Sequence, residues 1–271
     1  MVSPASDLPE YKAPPLIEVV CGVQFEPLTA FSAIHFGEFW QRIKQDYPRT
    51  EDREPLPEVF EGRSGPELVG EVAAYQMPPL RRMFYIEASD VFLLQVQPSR
   101  FLANWRKQKE ADRYPRFSAA YERFVKGWNL FLSFLKETGL GLPQTNQYEL
   151  TYINHVLEGG TPFPVGIQDS LPLFSWSTAQ SIKFLPTPQA ANFRFHFPLP
   201  NAKGSLHVTV NHGQRKPDGK GVLVIDLTAR GPARKDWSDM NGWFSVAHEW
   251  IVRGFTDLTS STAHKLWGRQ R

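Results

Sequence analysis

YPRFSAAYERFVKGWNLFLSFLKETG, residues Tyr114 to Gly139, decides the fold. Phe117, Tyr121, Phe124, Trp128, Phe131 and Leu135 recur at alternating steps of four and three, which puts all six on one stripe of a helix. Pro115 suits the first helical turn, where a missing N–H costs nothing, and Gly139 suits the residue just past the last turn. Five aromatic rings on one stripe carry too much apolar area to be left in water. The helix must lie on a sheet or in a cleft made by other elements.

On the N-terminal side, residues 1–15 read as a flexible tail. LIEVVCGVQF, Leu16 to Phe25, is β-branched and apolar and reads as a buried strand. A helix is expected over Ser32–Tyr47, with Phe36, Phe39, Trp40 and Ile43 as its buried stripe. A polar, proline-rich loop surrounds a short strand near Glu58–Phe60. Strands follow at Leu68–Tyr75, Arg82–Ala88 and Val91–Gln97, and their short connections make them antiparallel. Arg100–Arg116 then connects to the central helix.

On the C-terminal side come a strand at Tyr148–Leu157 and a short helix near Val165–Leu173. Strands are expected at Phe174–Leu185, Asn192–Leu199, Ser205–Asn211 and Val222–Ala229. A helix over Ser238–Thr256 carries Phe244, Ala247, Ile251, Phe255 and, just past it, Leu258. Strand, helix, several strands, helix thus occurs twice. The expectation is an α+β fold of two similar halves, residues 16–142 and 143–271, with helices packed on one face of antiparallel sheet. The two halves could equally form one continuous domain.

The chain has 271 residues, with 30 Lys and Arg against 28 Asp and Glu. No global field draws it to nucleic acid or an acidic membrane. Cys21 is its one cysteine, so an internal disulfide and a thiolate metal cluster are both excluded. As an apolar strand residue, Cys21 reads as a small buried hydrophobe. No stretch has the length and apolarity of a membrane span, and the N-terminus lacks a secretory pattern, so a cytoplasmic protein is expected.

Two clusters are candidate sites. The connector carries Arg100, Arg106, Lys107, Lys109, Arg113 and Arg116 around Trp105, against only Glu110 and Asp112. It reads either as a solvated linker whose tryptophan plugs the core, or as a contact for a partner or for nucleic acid, with cations on phosphates and an aromatic to stack. The second cluster follows from strand alternation. Phe193, Phe195 and Phe197 alternate with Arg194 and His196, and Leu206, Val208 and Val210 alternate with His207 and Thr209. A turn at Pro200–Lys203 places His196 opposite His207, and a turn near Lys216-Pro217 brings Asp226 to the same face. Arg194, His196, His207 and Asp226 would then share one polar sheet face. Two histidines and a carboxylate are an iron-type ligand set and can do acid–base work; the plain alternative is a solvated outer face.

Established catalytic motifs are missing. His248-Glu249 opens a zinc-helix pattern, but Val252 stands where the second histidine is needed. Phosphate-loop, dinucleotide-fingerprint and nucleophile-elbow patterns do not occur. No catalytic set, resident metal or cofactor is expected. Trp237, Trp243, Trp250 and Trp267 crowd the C-terminal helices as packing residues, with Trp267 a candidate anchor for a partner.

APPLIEVVCGVQFEPL, FLLQVQPSRFLANWRKQKEADRYPRF, YINHV and HKLWGR together resemble a sporadically distributed family of bacterial proteins with no assigned activity. Asn104–Lys107 followed by Tyr114-Pro115-Arg116 is the most specific part. The resemblance covers nearly the whole chain and implies one intact unit. The family's patchy inheritance implies carriage on mobile or defence-associated loci. The leading expectation is a non-enzymatic interaction protein, regulatory or antitoxin-like, with a protein partner or a second copy of itself. Nucleic-acid binding through Arg100–Arg116 is the alternative, and a metal-dependent enzyme using the sheet-face histidines is the third.

Overall fold

The central helix forms as its stripe requires. In the computed structural model, which describes residues 8–61, 80–157, 171, 190–215, 219–233 and 240–271, it spans Arg116–Glu137 (α2). Phe124, Trp128, Phe131 and Leu135 are buried, and Phe134 joins them from the flank. Phe117 and Tyr121 are half-buried. Gly139 closes the helix at φ 73°. Its N–H donates to Lys136 C=O at 3.3 Å and the N–H of Leu140 donates to Leu135 C=O at 3.0 Å, the paired bonds that satisfy the last carbonyls of a helix.

The other elements, in chain order, are β1 (Leu16–Phe25), α1 (Ala33–Ile43), β2 (Arg49–Arg53), β3 (Arg82–Ile86), β4 (Phe92–Gln97) and β5 (Arg100–Arg106) before α2. After it come β6 (Thr145–Leu157), β7 (Asn192–Pro198), β8 (Ser205–Gln214), β9 (Gly221–Pro232), α3 (Met240–Leu258) and α4 (Ser261–Leu266). Among the described residues the strands join in one antiparallel sheet of nine, in the order β2-β3-β4-β5-β1-β6-β9-β8-β7. The fold is α+β. The chain divides into two compact units, Val19–Leu150 with Arg230–Met240, and Met1–Glu18 with Thr151–Ala229 and Asn241–Arg271.

In the first unit α2 lies on β4 and β5. Phe101 meets Phe131 at 5.5 Å and Trp128 at 5.5 Å between ring centroids. Phe25 of β1 meets Trp128 at 5.8 Å. Phe39 of α1 bridges to Phe131 at 5.3 Å and to Tyr85 of β3 at 5.4 Å. Such rings are each worth about 1.5–3 kcal/mol of burial, so this aromatic layer is the main adhesive of the unit. Gly127 allows the close approach: a Cβ there would lie 2.9 Å from Leu94 and 3.2 Å from Phe101. In the second unit α3 approaches β8 through Gly254, where a Cβ would lie 3.1 Å from Leu206. Trp243 is buried, and its indole N–H donates to Lys203 C=O at 3.1 Å.

Several expectations are corrected. Arg100–Arg106 is not a connector but strand β5, paired with β4 across the Pro98-Ser99 turn with Gln97 opposite Arg100. The strand expected near Glu58–Phe60 is irregular, and the strand lies earlier, at Arg49–Arg53, on the sheet edge. Its charged sequence hides it from a hydrophobic pattern, and charges on an edge strand discourage pairing with other chains. Residues 8–15 are tied down rather than loose. Tyr11 is buried, its hydroxyl 2.9 Å from Thr256 Oγ1, and the N–H groups of Lys12 and Ala13 donate to Gly268 and Trp267 carbonyls. The expected strands at Leu68–Tyr75 and Phe174–Leu185, the helix near Val165–Leu173, the turn at Lys216-Pro217, and Trp237 fall outside the described residues.

Candidate functional site

Because side chains alternate along a strand, the residues between those facing α2 stand on the other side of the sheet. On β4 and β5 these are Leu93, Gln95, Gln97, Arg100, Leu102 and Asn104. The polar ones are buried: Gln95, Gln97, Arg100 and Asn104 are each 6% exposed or less. Gln24 of β1 and Gln147 of β6 join them, each 3% exposed. A buried polar side chain is costly unless bonded, so their partners matter.

For Gln97, Arg100 and Gln147 those partners include main-chain groups of one irregular segment, Leu56–Glu61. The side-chain amide of Gln97 accepts from Leu56 N–H at 3.0 Å and donates to Leu56 C=O at 3.1 Å. The amide of Gln147 accepts from Glu61 N–H at 2.9 Å and donates to Val59 C=O at 2.8 Å. Arg100 donates to Pro57 C=O at 3.2 Å and to Gln24 Oε1 at 2.5 Å. Three side chains from three strands thus hold this irregular run of chain by its peptide groups. Pro57, Glu58 and Val59 meanwhile expose their side chains.

Around this grip lies a wider polar layer. Arg82 donates to Gln95 Oε1 at 2.8 Å, and Gln95 donates to Asn104 Oδ1 at 2.8 Å. Arg230 of β9 pairs with Glu149 of β6 at 2.7 Å. Burial lowers the Arg100 pKa from its usual value, while the Glu149 carboxylate opposes that shift. The guanidinium stays charged in any case. Amides do not titrate and arginine does not give up its proton, so Gln97, Arg100 and Gln147 recognise rather than transfer protons.

Arg100, Trp105, Arg106, Lys107, Lys109 and Arg113, expected to act as one contact patch, separate. Arg100 and Trp105 are buried, 6% and 2% exposed. They lie on opposite faces of β5, and Trp105 packs 5.3 Å from Tyr114. Arg106 is held by Asp90, donating to its C=O at 3.0 Å and its Oδ1 at 3.2 Å. Arg49 first, then Arg106, keeps the Asp90 carboxyl below its ordinary range. Lys107, Lys109 and Arg113 lie on the loop after β5, where Lys109 and Arg113 are exposed. Asp112 orders that loop by accepting from Gln108 and Lys109 N–H at 2.9 and 2.8 Å.

The second expected cluster forms in part. His196 lies directly opposite His207, and Arg194 opposite Thr209. The His196 and His207 Nδ1 atoms are 3.1 Å apart. Asp226 lies on β9 and accepts from Thr228 Oγ1 at 2.7 Å. Among the described residues no group of three His, Cys, Asp or Glu side chains could hold a metal ion. Beneath the opposite face, Leu171, Phe193, Phe195, Val208, Val210, Ile225 and Leu258 line an apolar cavity of about 30 Å³. That space suits a water or two and not an organic ligand. No described helix is long and apolar enough to cross a membrane.

The grip on Leu56–Glu61 was not foreseen. Gln95 and Gln97 alternate with apolar neighbours, a pattern that a half-solvated strand shares.

No protein-family model and no curated protein matches this chain. Among solved structures, the crystal structure of DynU16, a protein in the dynemicin biosynthetic locus, aligns with 93% of this chain and 98% of that one. The identity is 13% and the TM-score 0.26, too loose a likeness to support any conclusion about fold or activity.

Proposed function

We propose that this chain is a non-catalytic interaction protein whose partner is another polypeptide. One observation carries the reading: Gln97, Arg100 and Gln147, on three strands, bind peptide groups of Leu56–Glu61, with Arg100 also donating to Gln24, so this sheet face carries a main-chain grip that the chain's own segment occupies. A surface of that kind recognises a strand-like segment with little regard to its side chains. The family resemblance adds the setting, a bacterial cytoplasm and a regulatory or defence-associated locus. The test is size-exclusion chromatography with light scattering on the tagged chain, purified from its native host at native expression. A stoichiometric assembly with a protein partner or a second copy, weakened by Gln97→Ala with Gln147→Ala, supports the proposal. A clean monomer from the same cells overturns it.

The two-halves arrangement belongs to the same proposal. β1 and β6 are neighbours, flanked by β5 and β9, each the strand that precedes a long helix. The inner faces of α2 and α3 correspond at one constant offset, Ala120 with Ala247, Phe124 with Ile251, Gly127 with Gly254 and Phe131 with Leu258. A duplicated unit would give two related surfaces, of which the first carries the grip.

A second reading keeps the loop after β5. Lys107, Lys109 and Arg113 remain on one short, ordered loop, as a nucleic-acid backbone contact requires. Retention of an oligonucleotide at low salt, lost on Lys109→Glu with Arg113→Glu, supports it. No retention at low salt removes it.

A further inference from the structure

We propose that His196 and His207 form a two-imidazole chelate for a divalent ion of the nickel, copper and zinc group. The sheet sets the geometry. β7 and β8 pair antiparallel with the two histidines directly opposite, so their side chains leave the same face at the same level. Their Nδ1 atoms are 3.1 Å apart, the ring centroids 4.6 Å apart and the ring planes 79° apart. An ion at the ordinary zinc–imidazole distance of about 2.0–2.1 Å from each nitrogen would subtend about 98° between them. Tetrahedral and tetragonal sites both accept that angle. Rings that merely packed across two strands could meet through carbon edges. This pair meets through its nitrogens.

Without metal, one Nδ1 carries a hydrogen and the other accepts it. Binding asks both rings to carry their hydrogen on Nε2, which turns two lone pairs on the ion and releases no net proton from a neutral pair. Water fills the other coordination positions, because among the described residues no third His, Cys, Asp or Glu completes a set. Two neutral nitrogens suit nickel, copper and zinc and are poor ligands for magnesium or calcium. Arg194 stands two residues before His196 on the same strand face, and its charge opposes a cation there. Removing that charge tightens the site.

The whole chain is titrated calorimetrically with copper, nickel, zinc and magnesium chlorides, and the copper form is examined by electron paramagnetic resonance. One copper site with coupling to two nitrogens is expected, and no magnesium site. His196→Ala and His207→Ala should each weaken binding by at least about tenfold, the least that loss of even a ligand's outer partner costs. The double variant, which has neither ligand, should show no copper site on this face, and Arg194→Gln should bind more tightly than the native chain. Saturating zinc should raise the Tm of the native chain alone, because the ion ties β7 to β8 in the folded state only. Both histidines stand on the partly solvated face, so the single variants should fold. Circular dichroism checks this. No copper binding, a site whose affinity either substitution leaves unchanged, or single variants that each keep half of two equal sites would overturn the chelate.

Discussion

Gly37 and Gly127 both sit inside helices, and a methyl group added at each meets different surroundings. At Gly37 in α1 nothing lies within 4 Å of the added carbon. Alanine there keeps the helix and reduces the freedom of the unfolded chain, so Gly37→Ala should stabilise by about 0.5–1 kcal/mol. At Gly127 the same carbon meets Leu94 Cδ2 at 2.9 Å, Phe101 Cζ at 3.2 Å and Leu94 Cδ1 at 3.3 Å. Overpacking of this kind costs about 1–3 kcal/mol, which exceeds the helix gain of about 1 kcal/mol. Urea denaturation of the two variants should therefore move in opposite directions. Equal stabilisation by both would mean that α2 rides higher on β4 and β5 than these contacts show.

At the scale of elements, Leu56–Glu61 has no regular structure and depends on side chains of the sheet beneath it. Each glutamine closes a two-bonded grip, and a net hydrogen bond is worth about 0.5–1.5 kcal/mol. Gln97→Ala should leave the global fold intact and speed hydrogen exchange at Leu56 N–H; Gln147→Ala should do the same at Glu61 N–H. The amides of β4 should keep their protection in both variants. Unchanged exchange at Leu56 and Glu61 would show that other contacts hold the segment. These residues also explain what could and could not be read beforehand. The α2 stripe was legible because every ring on it faces one apolar layer. The His196–His207 register was legible because Pro200–Lys203 is a short turn between alternating strands. β5 was misread because Arg100 and Asn104 are polar yet buried, so its charges imitate a solvated linker. The grip was invisible for a related reason: a glutamine alternating with leucine and valine looks the same whether it faces water or a peptide group.

For the molecule as a whole, three histidines, His264 buried and His155 and His248 half-buried, make stability depend on pH in a definite direction. Burial pulls the His248 pKa down from about 6.5 to about 4, and His155 and His264 are also lowered, first by burial and then by nearby Arg215 and Arg269. Below about pH 6.5 the unfolded chain takes up protons that the folded chain refuses. Protons therefore favour unfolding. Stability from His248 is fully present above pH 6.5 and falls as the pH drops toward 4, by at most ~3 kcal/mol, after which this residue adds no further slope. His248→Gln keeps a neutral polar side chain at the site in both states, so its urea midpoint should fall less steeply between pH 6.5 and 4 than that of the native chain. Some slope should persist, because His155 and His264 titrate in the same sense. The His264 part of it separates in the double variant with His264→Gln, whose profile should be flatter again. Carboxylates act in the same acid range through the unfolded chain, but they are common to every variant and cancel in the comparison. A His248→Gln profile parallel to the native one would mean that His248 reaches water in the folded protein and takes up its proton there as freely as it does after unfolding.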